Sequence, residues 1–429
     1  MSQLINDLFD FLNEGVSPFH AVAAAEQRLA AAGYHKLAEG APWQLAAGGK
    51  YYTTPNQSAL MAWRMPTDGT LTGWHAVASH CDVPTWRVKN TSVPDKYYAK
   101  AATEGYGGML MYSWLDRPLS VAGRVLVRTE EGVKAKLFAP DRDLLCIPSV
   151  AIHFNRAAND GYKFNPQVDM QPVYGTAGQD LAALLAEEGQ VISHDLVLTC
   201  RQKATRVGLQ GEWFMAPRID DLECAATTLA GFLAGKGDEP GRADVWVMFD
   251  NEEVGSSSRQ GAQGTLMADV MARIEQALGV TPDQSVRARA NSLLLSADNG
   301  HAVHPNHPEK SDPANPVTLG GGVVLKFNAS QKYTTSGLTA AVFGEICRKA
   351  GVPTQTFCNR ADVPGGSTLG NLLGHQISIP MVDIGLAQLA MHAAVETASC
   401  ADAEAMAKAV EAFYNIPLAQ TADGEWTVG

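Results

Sequence analysis

Four strand-length apolar runs, each followed within about one to eight residues by an acidic residue or a histidine, constrain this chain more than any other feature. They occupy residues 75–79, 243–249, 292–296 and 377–384. Helical periodicity recurs at 222–233, 266–278 and 403–413, close to three of the runs. Strands alternating with helices predict an α/β fold, a mostly parallel sheet with helices on both faces. Ligands of such sheets gather beyond the carboxyl ends of the strands. An Asp, Glu or His stands within about one to eight residues of each run, so the chemistry belongs at those ends. Upstream, 4–12 and 21–32 read as helices, and 51–63 as two strands parted by the turn Pro55-Asn56-Gln57-Ser58.

The texture changes between about residues 88 and 211. Helical periodicity thins, β-branched and aromatic residues alternate, and turns such as Tyr106-Gly107-Gly108 and Asn159-Asp160-Gly161 are frequent. This predicts a β-rich domain at 89–211 inserted into a discontinuous catalytic domain made of 1–88 and 212–429. A length of 429 residues accommodates both.

Composition removes several classes of function. Hydrophobic residues at 46% and charged residues at 18% exclude a disordered or coiled-coil chain. With 33 basic against 45 acidic residues and no basic stripe, no nucleic-acid partner is expected. No apolar run reaches the ~18 residues of a membrane span, and residues 1–14 lack the layout of a signal peptide. Seven widely spaced cysteines without a C-x-x-C fit a reducing compartment, so a soluble cytoplasmic protein is expected.

Phe249-Asp250-Asn251-Glu252-Glu253-Val254-Gly255-Ser256 is the most informative segment. Adjacent glutamates at a strand end can divide labour, Glu253 as metal ligand and Glu252 as general base holding a water. A bare pair of this kind is more often a solvated loop, but it does not stand alone. His80-Cys81-Asp82 also closes an apolar run, with Asp82 placed to fix the second nitrogen of His80. Asp220 precedes a helix, where by itself it reads as a cap. Asp298 sits at a strand end, and His392 in an apolar stretch. Together His80, Asp220, Glu253, Asp298 and His392 form a ligand set of two histidines and three carboxylates. That chemistry suits two divalent ions, zinc first, with cobalt or manganese possible. One shared carboxylate would leave each ion three protein ligands and an open position.

On these motifs the chain resembles the aspartyl aminopeptidases, a family of dinuclear zinc peptidases. The likeness runs nearly the whole length. It includes Ser17-Pro18-Phe19-His20, His80-Cys81-Asp82-Val83-Pro84, Tyr106-Gly107-Gly108, Gly123-Arg124-Val125 and Arg218-Ile219-Asp220-Asp221-Leu222. The strongest parts are D-N-E-E-V-G-S from Asp250 and H-A-V-H-P-N from His301. The resemblance implies that Asp220 bridges the ions, with His80 and Asp298 on one and Glu253 and His392 on the other. It implies substrate contacts at His301, Lys326 and Tyr333. It further implies that His153, on the insert, reaches the site of a neighbouring subunit in a homo-oligomer, a tetrahedral dodecamer. The activity implied is removal of N-terminal residues, acidic ones preferred, from peptide substrates. Lys326 could face a substrate carboxylate, and His301 the oxyanion. Two alternatives use the same residues: a related dinuclear amidohydrolase (deacylase or carboxypeptidase), and a non-catalytic metal-bound scaffold. Asn is common where Asp221 stands and Cys-Gly where Gly365-Gly366 stands, so the fine shape of the pocket departs from the family pattern.

Overall fold

The computed structural model describes residues 2–429. A nine-stranded sheet runs through its centre, in the order His35–Lys36, Lys50–Thr53, Leu60–Arg64, Arg242–Phe249, Gly73–His80, Leu293–Ala297, Met381–Gly385, Val323–Phe327, Thr354–Cys358. The inner strands carrying the four apolar runs pair parallel to one another. Antiparallel pairs occur where Leu60–Arg64 meets its two neighbours and where Val323–Phe327 meets Met381–Gly385.

Alternation along each strand builds two cores. Trp246 and Met248 pack with helices Gln3–Glu14, Pro18–Ala31, Ile219–Ala234, Gly337–Ala350 and Cys400–Asn415. Val245, Val247 and Phe249 face the other way, toward helices Leu266–Ala277, Pro282–Ala290 and Leu369–Leu373. All eight residues of Arg242–Phe249 and of Gly73–His80 are buried. Covering both faces explains why these strands read as continuous apolar runs.

The fourth run is a strand only from Met381 to Gly385. Pro380 lacks an N–H for the ladder, and its carbonyl accepts the Leu294 amide at 3.0 Å before the strand begins.

A second, six-stranded sheet uses only strands between Thr85 and Cys200. Its first strand, Thr85–Val93, pairs with Tyr98–Tyr106 from Thr85 onward, ahead of the boundary expected at 88. Its last strand ends at Cys200, short of the expected 211. Strand Thr205–Val207 instead joins a five-stranded sheet with Trp213–Ala216, Glu396–Ser399, Ala387–Leu389 and Gly300–His301. Backbone pairing, which composition does not report, moves both edges. Among the described residues no helix is long and apolar enough to cross a membrane.

Candidate metal centre and active site

The five expected ligands arrive from five places in the chain. His80 ends strand Gly73–His80, and Asp298 directly follows Leu293–Ala297. Glu252 and Glu253 open a short 3-10 turn after Arg242–Phe249. Asn251, at φ 65°, turns the chain sharply there. Asp220 lies at the start of helix Ile219–Ala234, and His392 follows Ala387–Leu389. Parallel register does the gathering. Phe249 is the partner of His80, and Ser296 that of Ala78, so the strands finish along one edge.

Asp220 stands between the two histidines. Its Oδ1 is 3.6 Å from His80 Nε2 and its Oδ2 3.3 Å from His392 Nε2. Glu253 Oε2 is 3.4 Å from His392 Nε2. Candidate ligand atoms of Asp220, Glu253 and His392 lie within 4.8 Å of one another, as do those of His80, Glu252 and Asp298. Asp220 Oδ1 and Glu253 Oε1 are buried with no hydrogen-bond donor. An orphaned buried carboxylate oxygen is costly, and a cation is the partner that would relieve it. With imidazole and carboxylate donors facing such oxygens, the residues fit zinc.

Crowding sets the protonation of the cluster. Burial first, then the charges of Asp298, Asp82 and Asp220, pushes the Glu252 carboxyl up to about 8. Burial raises Glu253 as well, helped by Asp220. Against burial, contact with Asp220 lifts His392 to about 9. Protons held this way are those a bound dication displaces.

An outer set of hydrogen bonds fixes these groups. The Asp82 carboxylate accepts the amides of Glu252 at 3.0 Å and Glu253 at 3.1 Å, and the Tyr106 hydroxyl at 2.7 Å. The expected tie from its side chain to His80 is longer, 3.5 Å, whereas the Asp82 carbonyl lies 3.0 Å from His80 Nδ1. Local geometry explains the exchange: the carboxylate turns toward the two amides of the glutamate turn. Cys81 points away, its thiol 3.1 Å from the Ser58 carbonyl.

Two buried acids in this outer set have roles that reading the sequence missed. Glu396 accepts the amide of Asp220 at 3.2 Å and that of His392 at 2.8 Å. Asp221 accepts the amides of His80 at 3.1 Å and Asn299 at 3.2 Å, so it clamps backbone. The only signal for Glu396 was a lone acid in the apolar stretch 393–398.

A cavity of about 680 Å³ opens over the cluster, and His301, Lys326 and Tyr333 line it. Lys326 is not a free cation: its ammonium lies 3.2 Å from Asp298 Oδ1 and donates to the Asn299 carbonyl at 2.8 Å. Burial requires that pairing. His153 is exposed and does not line this cavity within its own chain.

Similarity to known proteins agrees with this geometry. The family model described as aminopeptidase I zinc metalloprotease (M18) matches residues 11–414. A probable M18 family aminopeptidase 2 of Clostridium acetobutylicum is 37% identical over 425 residues, 95% of this chain and 98% of that protein. A namesake from Pseudomonas aeruginosa is 38% identical over 428 residues, covering 96% and 98%. Yeast aminopeptidase 1 superposes with a TM-score of 0.83 at 26% identity, over 95% of this chain and 96% of that one. The chain therefore belongs to the M18 family of zinc metallo-aminopeptidases and is a peptide hydrolase of that class.

Proposed function

We propose that this enzyme removes acidic residues, Asp and Glu, from peptide N-termini, using two zinc ions. His80, Asp298 and Asp220 would hold one ion, and His392, Glu253 and Asp220 the other. The placement of Asp220 carries this reading, with one oxygen toward each histidine and one of them without a donor. Bound zinc supplies Lewis acidity, polarising a carbonyl and making a water nucleophilic near neutral pH.

The protein's part follows from its own residues. Glu252 takes the proton of the attacking water and delivers it to the departing amine. Its Oε2 lies 4.0 Å from His80 Nε2, and Asp82 holds its backbone, so it stays beside the cluster without being needed as a ligand. His301, on the cavity wall, donates to the developing oxyanion. Burial first, then the Lys326 charge, lowers the pKa of His301, so it donates as neutral imidazole.

Support for an acidic preference comes from the cationic and imidazole groups of the cavity wall. His304, His307, Lys310 and Arg360 lie there with His301 and Lys326. Since Lys326 is engaged by Asp298, a substrate carboxylate would share it and draw on Tyr333, whose ring centroid is 5.6 Å from the ammonium.

The insert expected at 89–211, whose sheet runs from Thr85 to Cys200, is read as the dimerisation domain of a cytoplasmic homo-oligomer. Val150, Ile152 and Phe154 flank His153 with 55%, 48% and 89% of their surface exposed, an apolar segment that a neighbouring subunit would cover. A solved relative is the mApe1 dodecamer of S. cerevisiae, 26% identical with a TM-score of 0.83, over 96% of each chain. A tetrahedral dodecamer, with His153 entering a neighbour's cavity, is the assembly proposed here.

One panel tests the activity. Metal-stripped enzyme reloaded with zinc, cobalt or manganese is assayed on aminoacyl chromogenic amides. Asp and Glu amides should turn over fastest, and N-acetyl-Asp amide not at all. Hydrolysis of the acetylated amide would make it a deacylase-type amidohydrolase, and preference for neutral residues would overturn the acidic reading.

A further inference from the structure

We propose that the segment Tyr106-Gly107-Gly108 of the six-stranded sheet is a positioning element for the metal centre, with Tyr106 as its active side chain. The inference rests on the ligand set proposed above. It gives the inserted sheet a part in the chemistry of its own chain, apart from any role in assembly.

Tyr106 ends strand Tyr98–Tyr106 and is paired with Thr85. Its hydroxyl donates to Asp82 Oδ2 at 2.7 Å and accepts from Asn251 Nδ2 at 2.9 Å. The same Asp82 oxygen accepts the Glu253 amide at 3.1 Å, so the phenol sets the carboxylate that holds the glutamate turn. Two residues on, the Gly108 carbonyl lies 3.0 Å from His392 Nδ1, and the Leu110 amide donates to the His392 carbonyl at 2.9 Å. An acceptor at Nδ1 keeps the proton there and leaves Nε2 free to bind metal. One short segment thus reaches the support of His80 and its glutamate neighbours on one side, and His392 on the other.

Gly107 shows how tightly the segment is seated. It has φ 74°, and a Cβ there would lie 3.2 Å from Glu253 Cβ and 3.3 Å from Pro84 Cα. A side chain there would press on the ligand turn and on Pro84, which would have to give way. Tyr106 is absent from the lining of the substrate cavity, which makes it a positioning residue and not a catalytic one.

Tyr106→Phe removes a single oxygen and keeps the ring. Zinc affinity is measured by competition with a chromophoric chelator, and melting temperature with and without zinc. We expect zinc to bind about tenfold to a hundredfold more weakly. The metal-free melting temperature should stay near wild type while the zinc-induced rise shrinks, and kcat should fall with KM unchanged. Zinc affinity within twofold of wild type would overturn the proposal. Were the variant unfolded, Gly107→Ala gives the same readout with the phenol in place, and normal zinc binding there would be equally fatal. Failure of the wild type itself to bind zinc would instead strike at the ligand set.

Discussion

Asp82 holds Glu252 by its backbone, accepting its amide at 3.0 Å, and leaves the Glu252 carboxylate unattached over the cluster. The same aspartate takes the Glu253 amide at 3.1 Å, so one buried carboxylate aims both a proposed base and a proposed ligand. Neighbouring side chains on extended backbone diverge. Here the turn at Asn251 and the grip of Asp82 keep both glutamates at one centre.

Glu252→Gln should separate base from ligand. The amide is isosteric but accepts no proton, so kcat should fall by about 10²–10⁴-fold. Zinc content, measured by atomic emission on the purified protein, should match wild type. Near-normal turnover would remove Glu252 from the mechanism.

Asp82→Asn should act on both glutamates together. An Asn side chain has one acceptor oxygen, so it serves either the Glu252 amide or the Glu253 amide with the Tyr106 hydroxyl, and sets its NH2 against the other. Zinc affinity should drop about tenfold to a hundredfold, with kcat falling alongside. Chelator competition checks the first and steady-state kinetics the second.

Stripping the metals should destabilise the fold as well as silence it. Removing zinc leaves the buried Asp220 and Asp298 and the nearly covered Glu253 side chain crowded, without a cationic partner other than Lys326 and the histidines. Ligands that bind only the native state raise its stability by mass action. Calorimetry should show a lower melting temperature after chelation, restored by zinc together with activity.

His20 should make stability depend on pH. Burial first, and then the Arg218 charge, pulls its pKa down to about 4, and its Nδ1 lies 2.8 Å from Ser17 Oγ. The native state therefore resists a proton that the unfolded chain takes up near 6.5. Stability is unaffected above about 6.5 and declines as pH falls from there toward 4. Discounted for the partly open edge of the ring, the loss attributable to His20 is on the order of 2 kcal/mol. Urea unfolding at pH 7.5 and 4.5 should show a smaller drop in His20→Gln than in wild type.

Phe154→Asp should break the assembly while sparing the fold. The ring is 89% exposed, so the substitution removes little packing within the chain. Sedimentation should show smaller species with wild-type circular dichroism. Activity should fall if His153 serves a neighbouring site, and an unchanged assembly would refute this use of the segment.

The sequence by itself located the four inner strands of the central sheet and the residues that follow them. Runs buried on both faces must be apolar throughout, and a turn after such a run must carry whatever chemistry the edge presents. His80, Glu252, Glu253 and Asp298 were legible for that reason, and Asp220 and His392 through the composition of the set. Only the tertiary structure decided which groups answer one another. Glu396 meets Asp220 across 176 positions, Lys326 meets Asp298 from another strand, and Gly108 meets His392 across 284. Such pairings follow from sheet order and from the docking of the second sheet, and a buried polar group takes whichever partner the fold sets beside it. A local pattern fixes where a side chain leaves the backbone; the partner it finds is set by packing that no single segment encodes.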